Sequence, residues 1–174
     1  WLTKKSESDA YVFKNNEGIQ GFLYLKTEEK DEDYSDFDPQ FMPKRRLKVG
    51  TFKINSTGIR LGERFLKIIF DNALKRDVDE IYVTMFRNKR KEVAGLKNLM
   101  EKWGFVEKGA KKNGEIYLVK DMRNYDDAKG PKFNYPLIKN DSTISFLPIV
   151  ARYHTKLFPD LHLKNEDATF FDGA

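Results

Sequence analysis

Apolar and polar positions change rhythm several times along the chain, and each rhythm predicts an element. Ala10–Lys14 and Ile19–Leu25 alternate as strands do and flank Asn15-Asn16-Glu17-Gly18, a polar turn ending in the residue that best tolerates positive φ, so they predict a hairpin. Leu47–Ile54 (LKVGTFKI) reads as a third strand, in which Gly50 marks a bulge or a close backbone approach. From Ile59 to Leu74 the residues Leu61, Phe65, Leu66, Ile69, Phe70 and Ala73 recur at helical spacing and predict an amphipathic helix. Ile81–Phe86 (IYVTMF) is apolar without a break, as a strand covered on both faces is. It should lie centrally and pair in parallel with Leu47–Ile54 through the helical crossover.

A second helix is expected over Glu92–Lys102, with Val93, Leu96, Met100 and Trp103 near one face and Gly104 where a helix commonly ends. Phe105–Lys108 and Glu115–Met122 close the pattern as a hairpin around Lys111-Lys112-Asn113-Gly114, since Asn-Gly is a strong turn signal. The order β-β-β-α-β-α-β-β implies an α/β (α+β) fold: a mixed, mostly antiparallel sheet with a central parallel strand pair joined by an amphipathic helix.

Two stretches break the pattern. Thr27–Pro43 carries Glu28, Glu29, Asp31, Glu32, Asp33, Asp36 and Asp38 among aromatic residues. Its length and polarity predict a solvated, partly mobile loop, the alternative being an acidic rim that attracts a basic acceptor. After Met122 the rhythm weakens, and Arg123–Ala174 is expected to be a C-terminal extension or a linker to a further domain, leaving residues 1–122 as the main domain. The chain opens at Trp1-Leu2 rather than at a methionine, and N-terminal elements of the domain are expected to lie upstream.

Composition narrows the function classes. With 174 residues, 40% of them hydrophobic, the chain has material for one core plus an extension. The 32 basic and 27 acidic residues are interspersed, and a diffuse excess of +5 does not by itself indicate nucleic acid. RNA binding through Arg87–Lys91 and Lys44–Arg46 stays as a lesser alternative. The absence of cysteine excludes disulfides, thiolate nucleophiles and cysteine-ligated zinc. His154 and His162, with Asp160 between them, lack a third ligand at a suitable spacing, so no metal site is expected. No apolar stretch approaches the roughly 20 residues of a membrane span and no signal peptide is visible, which predicts a cytoplasmic protein without a membrane partner.

The chemistry concentrates at the strand-to-helix junction, Lys48–Leu66. A glycine-bearing turn there leaves main-chain amides unpaired at the positive end of a helix dipole, a seat for phosphate or pyrophosphate. Arg60 and Arg64 can add charge-assisted contacts. Neither a P-loop nor a GxGxxG fingerprint is present. The plainer alternative makes Gly58 and Gly62 a tight turn with close helix packing, Arg60 and Arg64 exposed helix charges, and Tyr82 and Tyr117 core residues.

The segment NSTGIRLGERFLKIIF (Asn55 to Phe70), followed by IYVTMF and by LMEKWGF (Leu99 to Phe105), resembles the GNAT superfamily of acetyl-CoA-dependent N-acetyltransferases, with the similarity covering about residues 10–122. Thr57 to Gly62 falls on the family signature Gln/Arg-x-x-Gly-x-Gly/Ala. Gly62 matches the last glycine, while Thr57 replaces the leading residue and Arg60 the middle glycine. The resemblance implies acetyl-CoA as cosubstrate and an amine, of unidentified kind, as acceptor. Pantetheine would lie between the diverging ends of Leu47–Ile54 and Ile81–Phe86, on the main chain of Phe52, Lys53 and Ile54. The pyrophosphate would rest on the turn from Thr57 and Gly58 through Ile59, Arg60, Leu61, Gly62 and Glu63 to Arg64. Where family members carry a tyrosine acid this chain has Met100, a family asparagine falls on Val93, and the third strand lacks the glutamate base of some members. Tyr82, Tyr117 and Glu115 are the candidate catalytic substitutes. The alternative is a catalytically weak acyl-CoA-binding or interaction module of a larger protein, associated with RNA in one version.

Overall fold

The alternating segments assemble into one seven-stranded sheet. A computed structural model describes residues 9–54, 61–87 and 91–139. Trp1–Lys139 form one compact unit and Asn140–Ala174 a second, and every described residue belongs to the first. The strands are β1 (Asp9–Asn15), β2 (Gly18–Glu28), β3 (Phe37–Asp38), β4 (Arg46–Ile54), β5 (Glu80–Phe86), β6 (Val106–Lys111) and β7 (Glu115–Asp121), and the helices α1 (Leu61–Lys75), α2 (Lys91–Lys102) and α3 (Pro131–Asn134). Their order across the sheet is β1-β2-β4-β5-β7-β6-β3. Every neighbouring pair is antiparallel except β4–β5, which are parallel and joined through α1. A strand pair of like direction needs such a crossover, and the mixed α/β class expected from the sequence is the one observed.

One face of the sheet carries the helices. The apolar stripe of α1, namely Leu61, Phe65, Leu66, Ile69, Phe70 and Ala73, is buried in the same cluster as Leu23, Leu25, Leu47, Val49, Ile81 and Val83 of the strands. Met100 and Trp103 join it from α2 and its C-terminal end, so the predicted helix faces are the buried ones. Each large side chain withdrawn from water there stabilises the fold by about 1.5–3 kcal/mol. Gly104 ends α2 with φ of +85°, as the helix-terminating glycine should. Residues beyond Met122 pack on this layer too. Tyr135 sets its ring edge-on against Phe70 and Trp103. Lys120 Nζ donates to the Phe133 carbonyl at 2.5 Å, which is why the compact unit runs on to Lys139.

The opposite face departs from expectation. The segment after β2 is not a solvated loop: Tyr34 and Phe37 are buried, and with half-buried Phe41 they cover Tyr82 and Tyr117 of the sheet. Phe37–Asp38 adds the edge strand β3, in register with Lys111 and Ala110 of β6. Aromatic residues spaced along an acidic segment supply the apolar area that orders it, and the acidic side chains stay at its surface. Glu28 is the exception. It is 1% exposed, accepts from the Tyr82 and Tyr34 hydroxyls at 2.5 and 3.1 Å, and is flanked by Lys26 and Lys48 at 3.2 and 3.4 Å. Arg46 is buried beside it, with Nε donating to Glu80 at 2.8 Å and its guanidinium 4.1 Å from the centre of the Phe41 ring. Buried charges persist only when partnered in this way.

Candidate active site

The parallel pair at the centre of the sheet is short. β4 and β5 are in register only from Arg46↔Glu80 to Val49↔Val83. Beyond that point residues 51–54 of β4 stay paired with β2, and residues 84–86 of β5 stay paired with β7, but the two strands no longer pair with each other. They part into a slot whose facing main-chain edges carry no ladder bonds among the described residues.

Gly50 starts the divergence. The β2–β4 register passes from Leu25↔Val49 to Tyr24↔Thr51, so Gly50 is the extra residue of a β-bulge. A Cβ there would come within 2.6 Å of the Tyr24 ring, which only glycine avoids. A bulge bends its strand and increases its twist, and β4 leaves β5 directly after it. Both readings of Gly50 in the sequence, bulge and close approach, are met at once.

At the far end of the slot β4 hands over to α1. Phe52 is half-buried against Phe65, with ring centroids 5.8 Å apart and nearly perpendicular planes. Ile54 is partly buried on the core, and Lys53 is exposed. Leu61 is buried in the core at the first position of α1. A Cβ on Gly62 would stand 2.7 Å from Leu99 of α2 and 3.4 Å from Ile54. Gly62 is thus a point of close helix packing, which holds the N-terminal turn of α1 beside α2 and the end of β4. Glu63 in that turn accepts from Lys132 Nζ at 2.6 Å, and Arg64 is exposed. Thr57, Gly58, Ile59 and Arg60 lie outside the described residues. So do His154 and His162.

The three candidate acid–base residues sit in different surroundings. Tyr82 is 1% exposed, and burial, reinforced by the Glu28 carboxylate that accepts its hydrogen bond, pushes its hydroxyl far above the usual phenol range. Tyr117 is fully buried and donates to the Pro39 carbonyl at 2.7 Å; burial and then Asp38 push it up as well. Both hydroxyls are committed to internal acceptors under the Phe37–Phe41 cover. Glu115 stands at the open end, paired in register with Phe86, the last residue of β5. Its carboxylate accepts from Asn113 Nδ2 at 3.0 Å and lies 3.7 Å from Lys111 Nζ. Met100 is fully buried, and Val93 is partly buried on the core.

Of the basic clusters, Arg46 is buried, and Lys44 and Arg45 are paired with Glu80 and Glu29 at 2.5 and 3.0 Å. Arg87 is bonded to Glu107, and residues 88–90 lie outside the described residues. Glu28 was missed as a buried carboxylate, although it ends a β2 stretch in which Phe22, Tyr24 and Lys26 share its side of the strand. Among the described residues no helix is long and apolar enough to cross a membrane.

No family model and no curated protein matches the sequence. Among solved structures, an acetyltransferase of the GNAT family from Listeria monocytogenes 4b F2365 is similar at 17% identity and a TM-score of 0.48, over 65% of this chain and 64% of that one. This chain therefore spans less than two thirds of the Listeria structure. A GNAT family acetyltransferase from Elizabethkingia anophelis, solved with acetyl-CoA bound, is similar at 13% identity and a TM-score of 0.49, over 70% of this chain and 81% of that one. The ribosomal-protein-S18-alanine N-acetyltransferase from Escherichia coli is similar at 13% identity and a TM-score of 0.47, over 74% and 79%. No score reaches 0.5, so nothing about substrate or mechanism is transferred from them. Acetyltransferases of the GNAT family are among the solved structures to which this chain is similar.

Proposed function

We propose that this protein is an N-acyltransferase that moves an acetyl group from acetyl-CoA to an amine. The observation that carries the reading is the parting of β4 and β5 directly after the Gly50 bulge. An edge of unpaired N–H and C=O groups between two strands suits an arm built of amides and short apolar spans, as pantetheine is. Phe52, Lys53 and Ile54 would hold that arm through their main chain. The amides from Thr57 to Arg64, at the start of α1, would hold the pyrophosphate, with Arg64 adding charge.

Bound there, acetyl-CoA supplies an activated acyl carbonyl. An amide C–N bond forms, the thioester C–S bond breaks, the amine proton passes to a base, and that proton returns through water to the departing thiolate, which is released as the thiol. Glu115 is the carboxylate that the register places across from the open end of β5, and it is our choice of base, acting directly or through a water. Tyr82 and Tyr117, with their protons held by Glu28 and Pro39, would shape the sheet rather than donate to the sulfur. A cytoplasmic location belongs to the same proposal.

A second reading is favoured by Met100, which is buried where the family resemblance implies a tyrosine acid. In that reading the protein binds acyl-CoA but turns it over poorly. Two measurements separate the outcomes. Acetyl-CoA at saturation should raise the melting temperature by mass action, and free thiol should appear when a panel of amines is supplied. A shift without thiol release selects the binding module; no shift with either CoA or acetyl-CoA removes both readings.

A further inference from the structure

A cleft of about 470 Å³ opens beside the slot, between β5, α2 and the β6–β7 hairpin. Its floor is apolar: Met85 and Phe86 of β5, Val93 and Ala94 of α2, and Ile116 of β7. Its rim carries Arg87, Lys97 and Glu107. These charges answer one another, since Arg87 is bonded to Glu107 and Lys97 lies 3.4 Å from Glu107 and 2.6 Å from Glu101. A ligand in the cleft therefore meets hydrophobic walls rather than unsatisfied charge, which disfavours an ammonium or a phosphate as its occupant.

The cleft and the proposed reaction centre share strand β5. Met85 and Phe86 belong to the same residues, 84–86, that have parted from β4 and edge the slot. Met85 is 9% exposed, shares the helix-side core and lines the cleft with an unbranched side chain. A thioether of this kind rearranges at low cost to admit an apolar neighbour. Resting on the acyl-CoA reading above, we propose that the acyl group this protein prefers is longer than acetyl, a medium-length saturated chain that passes Met85 and lies on Val93, Ala94 and Ile116.

The test compares CoA, acetyl-CoA and hexanoyl-CoA by calorimetry on the full chain. Each methylene withdrawn from water tightens binding by up to about fourfold, so hexanoyl-CoA is expected to bind at least about tenfold more tightly than acetyl-CoA. Ala94→Trp, which fills the cleft from an exposed helix position, should bring the ratio of the two affinities toward one. In protein labelled at methionine methyls, the Met85 signal should move with hexanoyl-CoA and stay in place with acetyl-CoA, a readout that does not depend on the variant folding. Equal affinities for the two thioesters, an unchanged ratio in folded Ala94→Trp, or a Met85 signal indifferent to chain length would each overturn the proposal and leave the acetyltransferase reading standing. Failure of CoA and both thioesters to bind would overturn the two together.

Discussion

The Tyr82 hydroxyl, on β5, donates to the Glu28 carboxylate at the end of β2 across 2.5 Å, reaching over the strand that lies between them. With Tyr34, Lys26 and Lys48 it completes the shell of a carboxylate that is 1% exposed. Burial raises the Glu28 pKa, but the Tyr82 bond and the charges of Lys48 and Lys26 outweigh it and hold it below the usual value.

Glu28→Ala is expected to cost about 3–5 kcal/mol, because two tyrosine hydroxyls and two ammonium groups lose their shared acceptor. Denaturant unfolding measures it. The sign with pH follows from a depressed folded pKa: the stabilisation is present above the unfolded value of about 4.3 and is lost as pH falls through the folded one. Glu28→Gln should lack that acid-side loss.

Lys120 gives a slope of its own at alkaline pH. It is 3% exposed, and burial, only partly opposed by Asp121, lowers its pKa to about 8. Between that value and the unfolded pKa of about 10.4, the unfolded chain binds the extra proton and stability rises with pH. The wild type should gain about 2 kcal/mol from pH 8 to 10 relative to Lys120→Met, read as the difference between their unfolding curves. Parallel curves would show that the lysine is charged in the folded protein throughout.

At Gly50 the prediction is one of coupling. Gly50→Ala drives a methyl into the Tyr24 ring, at a cost of about 1–3 kcal/mol. Tyr24→Leu on the same chain should recover part of that loss, and a double-mutant cycle gives the interaction energy.

Arg64→Glu reverses an exposed charge in the first turn of α1 without touching the core. Stability should change by less than about 0.5 kcal/mol, whereas CoA affinity should fall by about tenfold and the affinity of desphospho, pantetheine-only analogues should not. Titration calorimetry with both ligands reads the contrast.

Glu115→Gln keeps the shape of the rim and removes the proposed base. The turnover number should drop by about 10²–10⁴ with little change in acetyl-CoA affinity. A change confined to the acceptor KM would instead make Glu115 a binding residue.

Much of the slot could be read in one dimension. Gly50 in an apolar strand, the stripe from Leu61 to Ala73 and the unbroken IYVTMF run are local signals, and the structure sets them as bulge, crossover and central strand. At Gly62 the sequence left two readings, a pyrophosphate seat and a point of close helix packing, without naming what packs there. Its close neighbour, Leu99, lies on another helix, and no local pattern names that contact. The acidic segment after β2 misled for the same reason: its charges dominate the composition, while the three rings that anchor it find their partners on β5 and β7.

Apart from the edge strand β3 and the short helix α3, the order of strands and helices, the bulge position and the helix-ending glycine follow from the sequence alone, because backbone conformation and side-chain period are properties of neighbouring residues. Tertiary structure decided what covers the second face of the sheet, which carboxylate is buried, which tyrosine protons are already taken and how early β4 and β5 part. Those outcomes depend on pairs of residues far apart in the chain, whose energies exist only once the sheet has brought them within contact.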